Sequence, residues 1–279
     1  MIEFKNFTFQ YKEGTVPALA DINMKINKGD FVGIIGNSGA GKSTLTYTIN
    51  GVIPHYYTGD FYGEVTVNGY DTVETKPESI STVVGSVFQD IDAQMVASVV
   101  EDEILFGLEN FGVPKAEIPN RLNEALEKVG IADLRQRAIN SLSGGQRQKV
   151  AIAAIIALRP EIIVLDEPTG ELDPGSSRQL FMMLKKLNEE YGMTIVIVEQ
   201  KIMLLCEFCQ KLAVIEKGRL ALYGEVREVL EHSREMEKMG INVPRVVSLS
   251  SILSEKGVYK GKPPISIEEA KKMVLESLT

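Results

Sequence analysis

The sequence predicts an α/β fold: a mostly parallel sheet covered on both faces, an antiparallel side sheet, an inserted helical subdomain and a carboxy-terminal helical extension. Three observations lead there. The apolar runs Phe31–Ile35, Ile162–Leu165 and Thr194–Val198 alternate with helical stretches, the texture of buried parallel strands joined by crossovers. The early segments Ile2–Tyr11 and Ile22–Ile26 alternate apolar and polar residues with period two, as half-buried strands do. Between the first apolar run and a helix from Leu45 to Asn50 stands Gly36-Asn37-Ser38-Gly39-Ala40-Gly41-Lys42-Ser43-Thr44, with the G-x-x-x-x-G-K-[ST] spacing of a P-loop.

Bulk composition narrows the class. At 279 residues the chain can bury a large core and still carry an appendage. Its net charge of −8 argues against a general nucleic-acid binder, which presents a basic face, so no nucleic-acid partner is expected. The two cysteines, Cys206 and Cys209, build no disulfide framework and point to a reducing compartment. Their C-x-x-C spacing lacks the second pair or nearby His of a zinc site. They fall in an apolar helical stretch, where buried small hydrophobes is the simpler reading. The amino terminus reads directly as a strand, without signal-peptide anatomy. The longest apolar runs, such as Val150–Leu158, fall far short of the ~20 residues that span a bilayer. The chain is therefore expected to be soluble by itself and to meet a membrane only through a partner.

In chain order, Asn27-Lys28-Gly29-Asp30 turns into the P-loop strand, and residues 54–63 after the P-loop helix read as an irregular aromatic segment. Glu64–Val67 then meets Asn68-Gly69, a hairpin signal, and Ser81–Phe88 is a further apolar strand. From about residue 90 to 159 the spacing is helical, punctuated by Gly112-Val113-Pro114 and Gly130, with no strand. Strands resume at Ile162 and Thr194, separated by a helix over Ser177–Tyr191. Lys211–Ile215 and Leu220–Tyr223 flank Lys217-Gly218 as a closing hairpin. This organisation divides the chain into an α/β domain over 1–225, with the helical subdomain inserted, and an extension over 226–279. The extension reads as helices over Val226–Met239, Val246–Lys256 and Ile267–Leu278, the last capped by Ser266 with Glu268 and Glu269 in its first turn.

The P-loop carries the first chemistry. Its glycines let backbone N–H groups turn inward without Cβ clashes, and with the helix N-terminus they form an anion cradle. Lys42 would reach the β- and γ-phosphates of a nucleotide, and Ser43 would offer its hydroxyl to Mg²⁺. A Gly/Ser-rich loop that binds nothing is the alternative; strand, Lys-Ser pair and helix in register disfavour it. The apolar run ending in Asp166-Glu167 supplies two carboxylates with different tasks. Asp166 is the expected Mg²⁺ partner, through water, and Glu167 the general base that polarises an attacking water. Leu142-Ser143-Gly144-Gly145-Gln146 ahead of a helix makes a second anion site, although alone it would be an ordinary N-cap.

Taken together, these motifs resemble those of the ATP-binding cassette (ABC) ATPases over residues 1 to about 225. The resemblance implies a P-loop ABC-type ATPase core with ATP and Mg²⁺ as cofactors. It further implies a head-to-tail dimer in which Ser143, Gly144 and Gly145 face the γ-phosphate bound to the other subunit. Gln89 matches the family's Q-loop residue, which touches Mg²⁺ or the lytic water. Tyr11 matches the aromatic that stacks on adenine, with a plain strand-end aromatic as the alternative. Asp173, in Leu172-Asp173-Pro174, matches the D-loop that couples the two sites. One position departs from the pattern. Where the family usually places His, Thr194–Glu199 leads to Gln200 and Lys201. Gln can donate a hydrogen bond to the γ-phosphate but cannot carry a proton. Gln200 thus implies normal ATP binding with slow hydrolysis.

Gln94–Gly107 is similar to the region after the Q-loop in the energising subunits of energy-coupling factor (ECF) importers for vitamins and metal ions. There an apolar surface receives the coupling helices of a membrane scaffold. Gly240–Pro244, Leu253–Gly257 and Ile265–Ala270 are similar to the carboxy-terminal helices of those subunits, a generic helical dimerisation appendage being the alternative. The partners implied are a second ABC ATPase subunit, a transmembrane scaffold subunit and a separate substrate-binding membrane subunit. The implied location is peripheral, on the cytoplasmic face of the cell membrane. Two other classes stay open: a soluble ABC ATPase acting on ribosomes or nucleic acid, and an ATP-binding subunit with impaired hydrolysis.

Overall fold

The structure is a computed structural model that describes residues 1–277. Its strands are β1 (Ile2–Tyr11), β2 (Leu19–Ile26), β3 (Phe31–Ile35), β4 (Gly59–Val67), β5 (Tyr70–Asp71), β6 (Val84–Val87), β7 (Ile162–Asp166), β8 (Thr194–Val198), β9 (Lys211–Glu216) and β10 (Arg219–Glu225). They form two sheets, a four-stranded antiparallel one in the order β2-β1-β4-β5 and a six-stranded one in the order β10-β9-β3-β8-β7-β6. In the larger sheet β6, β7, β8, β3 and β9 are parallel and β10 is an antiparallel edge. Every residue of β3, β7 and β8 is buried, which is why these segments are continuous apolar runs rather than alternating ones. Side chains nevertheless divide between the two faces with period two. Ile163, Leu165, Ile195 and Ile197 join one core, while Ile162, Val164, Val196 and Val198 join the other.

The register sets the stage for the site. Val198 pairs with Ile34 on one side and Asp166 on the other, so β3, β8 and β7 end level with one another. Ligands of open parallel sheets bind beyond such carboxyl ends.

The helices in chain order are α1 (Lys42–Ile49), the short α2 (Val52–His55), α3 (Pro77–Ile80) and α4 (Ile91–Gln94), then α5 (Val100–Asn110), α6 (Ile118–Val129) and α7 (Gly144–Ala157) of the inserted region. They continue with α8 (Pro174–Tyr191), α9 (Ile202–Phe208), α10 (Val226–Glu231), α11 (Ser233–Lys238), α12 (Arg245–Glu255) and α13 (Ile267–Ser277). Within the inserted region only a single bridge, Val99 to Ala138, has β character. The closing helices are tied to the rest by Met236, Ile241 and Val247 in the large core and by Arg227, which donates to both oxygens of Glu269 at 3.0 and 2.7 Å. Ser266 caps α13 as expected, accepting from the Glu269 N–H at 3.1 Å. Cys206 and Cys209 are buried, and burial pushes the Cys206 thiol up to about 12 and the Cys209 thiol well above its ordinary value. Both serve as apolar filling. Among the described residues no helix is long and apolar enough to cross a membrane.

Several expected boundaries move. The aromatic segment before Glu64 is not irregular throughout, because β4 already begins at Gly59 and pairs with β1 through Phe61↔Phe9 and Tyr62↔Thr8. The strand expected over Ser81–Phe88 is confined to Val84–Val87 after the turn of α3. α8 starts at Pro174, since the Asp173 carboxylate caps it, and the helix expected over Val226–Met239 breaks at His232. Leu278 lies outside the described residues.

Candidate functional site

β3 ends at Ile35 and the chain folds back through Gly36–Gly41 into α1. Two glycines are required by contact. A Cβ on Gly36 would lie 2.3 Å from the Ile215 carbonyl oxygen, and Gly41 has φ +105° with its Cβ position 2.5 Å from the Ala18 oxygen. No side chain caps α1, so its first N–H groups are left for an anion. Lys42 is buried, and its Nζ donates to the Gly36 and Asn37 oxygens at 2.9 and 3.0 Å. The ammonium is thereby folded into the loop. Asn37 also reaches outward, donating to the Met239 oxygen at 2.6 Å, so the closing helices touch the phosphate loop.

β7 delivers Asp166 and Glu167 to the same place. Asp166 is 5 % exposed, and burial raises its pKa, opposed by a hydrogen bond from Ser43 and reinforced by the charge of Glu167. A carboxylate held there at a cost to its charged form is stabilised by a cation. Ser43 and Asp166 offer two hard oxygen ligands, and among the described residues no cluster of three or more His, Cys, Asp or Glu side chains builds a protein-only cage. That donor set fits Mg²⁺, which keeps waters and shares itself between one or two side chains and phosphates.

Glu167 is a non-glycine residue at φ +48°, a left-handed conformation that the surrounding turn enforces. Its N–H donates to the Val198 oxygen at 2.9 Å, which locks the turn to β8. Its carboxylate accepts from Gln200 Nε2 at 2.9 and 3.0 Å and from Gln89 Nε2 at 3.3 Å. Two carboxamides from distant parts of the chain thus hold one carboxylate beside the P-loop. Gln89, Glu167, Gly144 and Tyr47 line a cleft of about 680 Å³.

Tyr11 lies at the end of β1 with its hydroxyl 3.1 Å from Thr44 Oγ1, and burial raises its pKa. It belongs to a chain of rings: Tyr11 meets Tyr57 edge-on at 6.0 Å, Tyr57 stacks on Tyr47 at 5.4 Å, and Tyr47 meets Phe88 at 6.1 Å. Ser143 stands elsewhere, as the N-cap of α7, in a capping box with Gln146. Ser143 and Gly145 line a separate cleft with Asp133, Lys149 and Ser176. Asp173 is exposed and accepts from the N–H groups of Gly175 and Ser176 at 2.9 and 3.0 Å. The structure therefore gathers Tyr11, Gly36–Thr44, Gln89, Asp166, Glu167 and Gln200, with Gly144 on the wall of the Gln89–Glu167 cleft, and leaves Ser143, Gly145 and Asp173 outside that group.

A family model described as ABC transporter matches residues 19–170, more than half of the chain and inclusive of the P-loop, Gln89, the Ser143 segment and Glu167. The chain belongs to the ABC transporter ATP-binding family. Members of this ABC family couple ATP hydrolysis to transport. The energy-coupling factor transporter ATP-binding protein EcfA2 of Caldanaerobacter subterraneus subsp. tengcongensis is 37% identical over 283 residues, covering 99% of this chain and 97% of its own length. That match includes the closing helices and places the chain in the ECF branch of the ABC family. Among solved structures, cbiO1 from Clostridium perfringens, part of the ABC transporter complex cbiONQ, superposes with a TM-score of 0.76 at 31% identity over 89% of this chain and 97% of that one. The ATP-binding cassette MJ0796, a dimer in a post-hydrolysis state bound to ADP and Pi, does so with a TM-score of 0.70 at 30% identity, over 81% of this chain and 99% of that one.

Two residues flanking Gln200 join the site without belonging to any motif. Glu199 is 2 % exposed and accepts from the Thr169 N–H at 2.9 Å and from its hydroxyl. Lys201 donates to the Thr169 and Leu172 oxygens at 2.7 and 3.1 Å. A charged residue closing a fully apolar strand was the signal available for Glu199.

Proposed function

We propose that the chain is the ATP-binding and hydrolysing energising subunit of an ECF-type membrane importer for a vitamin or a metal ion, peripheral on the cytoplasmic face of the membrane. It works there as a head-to-tail dimer with a second ABC ATPase. The reading rests on one observation above all: Ser43, Asp166, Glu167, Gln89 and Gln200 meet beside the P-loop, in a chain matched over nearly its whole length by an ECF ATPase. The dimeric cassette and the member of a multi-subunit transporter complex support the partners proposed.

In this reading the P-loop N–H groups and Lys42 bind the phosphates of ATP, and Tyr11 stacks on the adenine. Ser43, Asp166 and Gln89 would hold Mg²⁺, which would supply positive charge to offset the negative charge developing on the phosphates. Glu167 orients a water and accepts its proton, with Gln89 and Gln200 fixing the carboxylate. Ser143, Gly144 and Gly145 complete the second subunit's site, and Asp173 couples the two. A tag on this chain should bring down from detergent-solubilised membranes a hydrophobic scaffold, a small membrane subunit and a second ATPase. Recovery with ribosomes or nucleic acid instead would overturn the transport reading.

Gln200 favours a second reading, a subunit that binds ATP but turns it over slowly. The carboxamide orients Glu167 by neutral hydrogen bonds and shuttles no proton. Restoring a titratable ring with Gln200→His is expected to raise single-turnover hydrolysis by about tenfold or more in the assembled complex. An unchanged rate would show that the Gln at this position does not limit the subunit.

A further inference from the structure

Three consecutive residues at the end of β8 grip the turn that follows β7, each by its side chain. Glu199 holds the Thr169 N–H and hydroxyl on one carboxylate oxygen and the N–H groups of Gln200 and Lys201, at 3.0 and 3.3 Å, on the other. Gln200 holds Glu167. Lys201 spends its three N–H donors on the Thr169 oxygen at 2.7 Å, the Leu172 oxygen at 3.1 Å and Ser177 Oγ at 2.9 Å. Thr169 and Ser177 are fully buried. Thr169 is therefore clasped from both sides, its N–H and hydroxyl by Glu199 and its carbonyl by Lys201, and Leu172 is fixed immediately before Asp173.

We infer that Glu199 and Lys201 are positioning residues for hydrolysis: they lace the Gln200 segment to the Glu167–Asp173 turn so that the base, its carboxamide partner and the Asp173 segment hold one geometry. A surface ion pair could not do this. Lys201 meets two carbonyls and a hydroxyl on three different residues, a cage that fixes both position and direction. The position of Glu167 depends on it because φ +48° is held only by what surrounds the turn. Misplacement of a base by about 1 Å costs up to about 100-fold in rate.

The inference rests on the proposed roles of Glu167 and Gln200, and the test separates the two. The complex purified through a tag on this chain is assayed for ATPase as a function of ATP concentration. Lys201→Met is expected to lower kcat about 10- to 100-fold with the KM for ATP within about twofold. Lys201→Arg, which keeps charge and several donors, should retain most of the rate. Ser177→Ala removes one of the three acceptors without touching the lysine and should show the same split more weakly, which covers the case of a Lys201→Met chain that does not fold. Lys211→Met is the control. It breaks the 2.7 Å pair with Asp30, at side chains 19 and 14 % exposed and away from Glu167, and should lower the melting temperature with kcat unchanged. A Lys201→Met complex with the original kcat, or with kcat lost only in proportion to melting temperature as in the control, overturns the positioning role. If Glu167→Gln also kept its full rate, the proposed site itself would fail; a dead Glu167→Gln beside an active Lys201→Met sinks this inference alone.

Discussion

Glu167→Gln is expected to abolish turnover, by at least about 100-fold, while ATP binding persists. The substitution keeps shape and volume. It also suits the turn, because Gln meets the same strain as Glu at φ +48° and the N–H bond to Val198 is a backbone bond. What disappears is the carboxylate proposed to accept the proton of the attacking water, and no adjacent side chain offers a replacement. Gln89 and Gln200 are carboxamides with no proton to exchange, and Asp166 is committed to Ser43 and the metal position. Steady-state phosphate release and a nucleotide-binding titration on the same preparation check both halves. Release within a few-fold of the unmodified chain would mean that another group acts as base.

Lys42→Met is expected to remove turnover from the other side, by loss of nucleotide. The ammonium lies within the loop, held by the Gly36 and Asn37 oxygens, so it can turn toward a phosphate without crossing solvent. Against the phosphates of ATP the ammonium meets full negative charges rather than the two carbonyl dipoles it leaves, and ion–ion attraction exceeds ion–dipole attraction at the same distance. A buried Met of similar length keeps the packing, and the two carbonyls it frees belong to Gly36, half-buried, and Asn37, exposed. Circular dichroism should find the melting temperature little changed, and the ATPase rate of the assembled complex should fall to background. A variant that hydrolyses normally would remove the P-loop from the mechanism.

How much of this was legible in the sequence follows from the range of each interaction. The P-loop and the strand ending in Asp166-Glu167 are local patterns, and β3, β7 and β8 announce themselves because burial on both faces leaves apolar residues everywhere but at Asp166 and Thr194, on the strand ends. The start of β4 leaves no sequence signal because Asp60, Phe61 and Tyr62 are all exposed. They carry no alternation, and only pairing with β1, some fifty residues upstream, makes them a strand. The break at His232 has no glycine or proline to mark it. Within the site, family resemblance supplied Gln89 and Gln200 but not their meeting on one carboxylate, which joins positions 78 and 33 residues apart. Glu199 is marked in the sequence only as a charge after an apolar run, and neither it nor Lys201 reveals its partners, which lie about 30 residues back in a turn whose path no local pattern specifies. The reach of Asn37 to Met239 spans 202 residues, the longest such step in the site.

If Gly36–Thr44 cradles ATP with Mg²⁺, calorimetric titration of the full chain with ATP will detect it. Saturable binding of one ATP per chain is expected, tightened by Mg²⁺, retained in Glu167→Gln and lost in Lys42→Met. No saturable binding, or binding equally tight with Lys42 replaced, would contradict it.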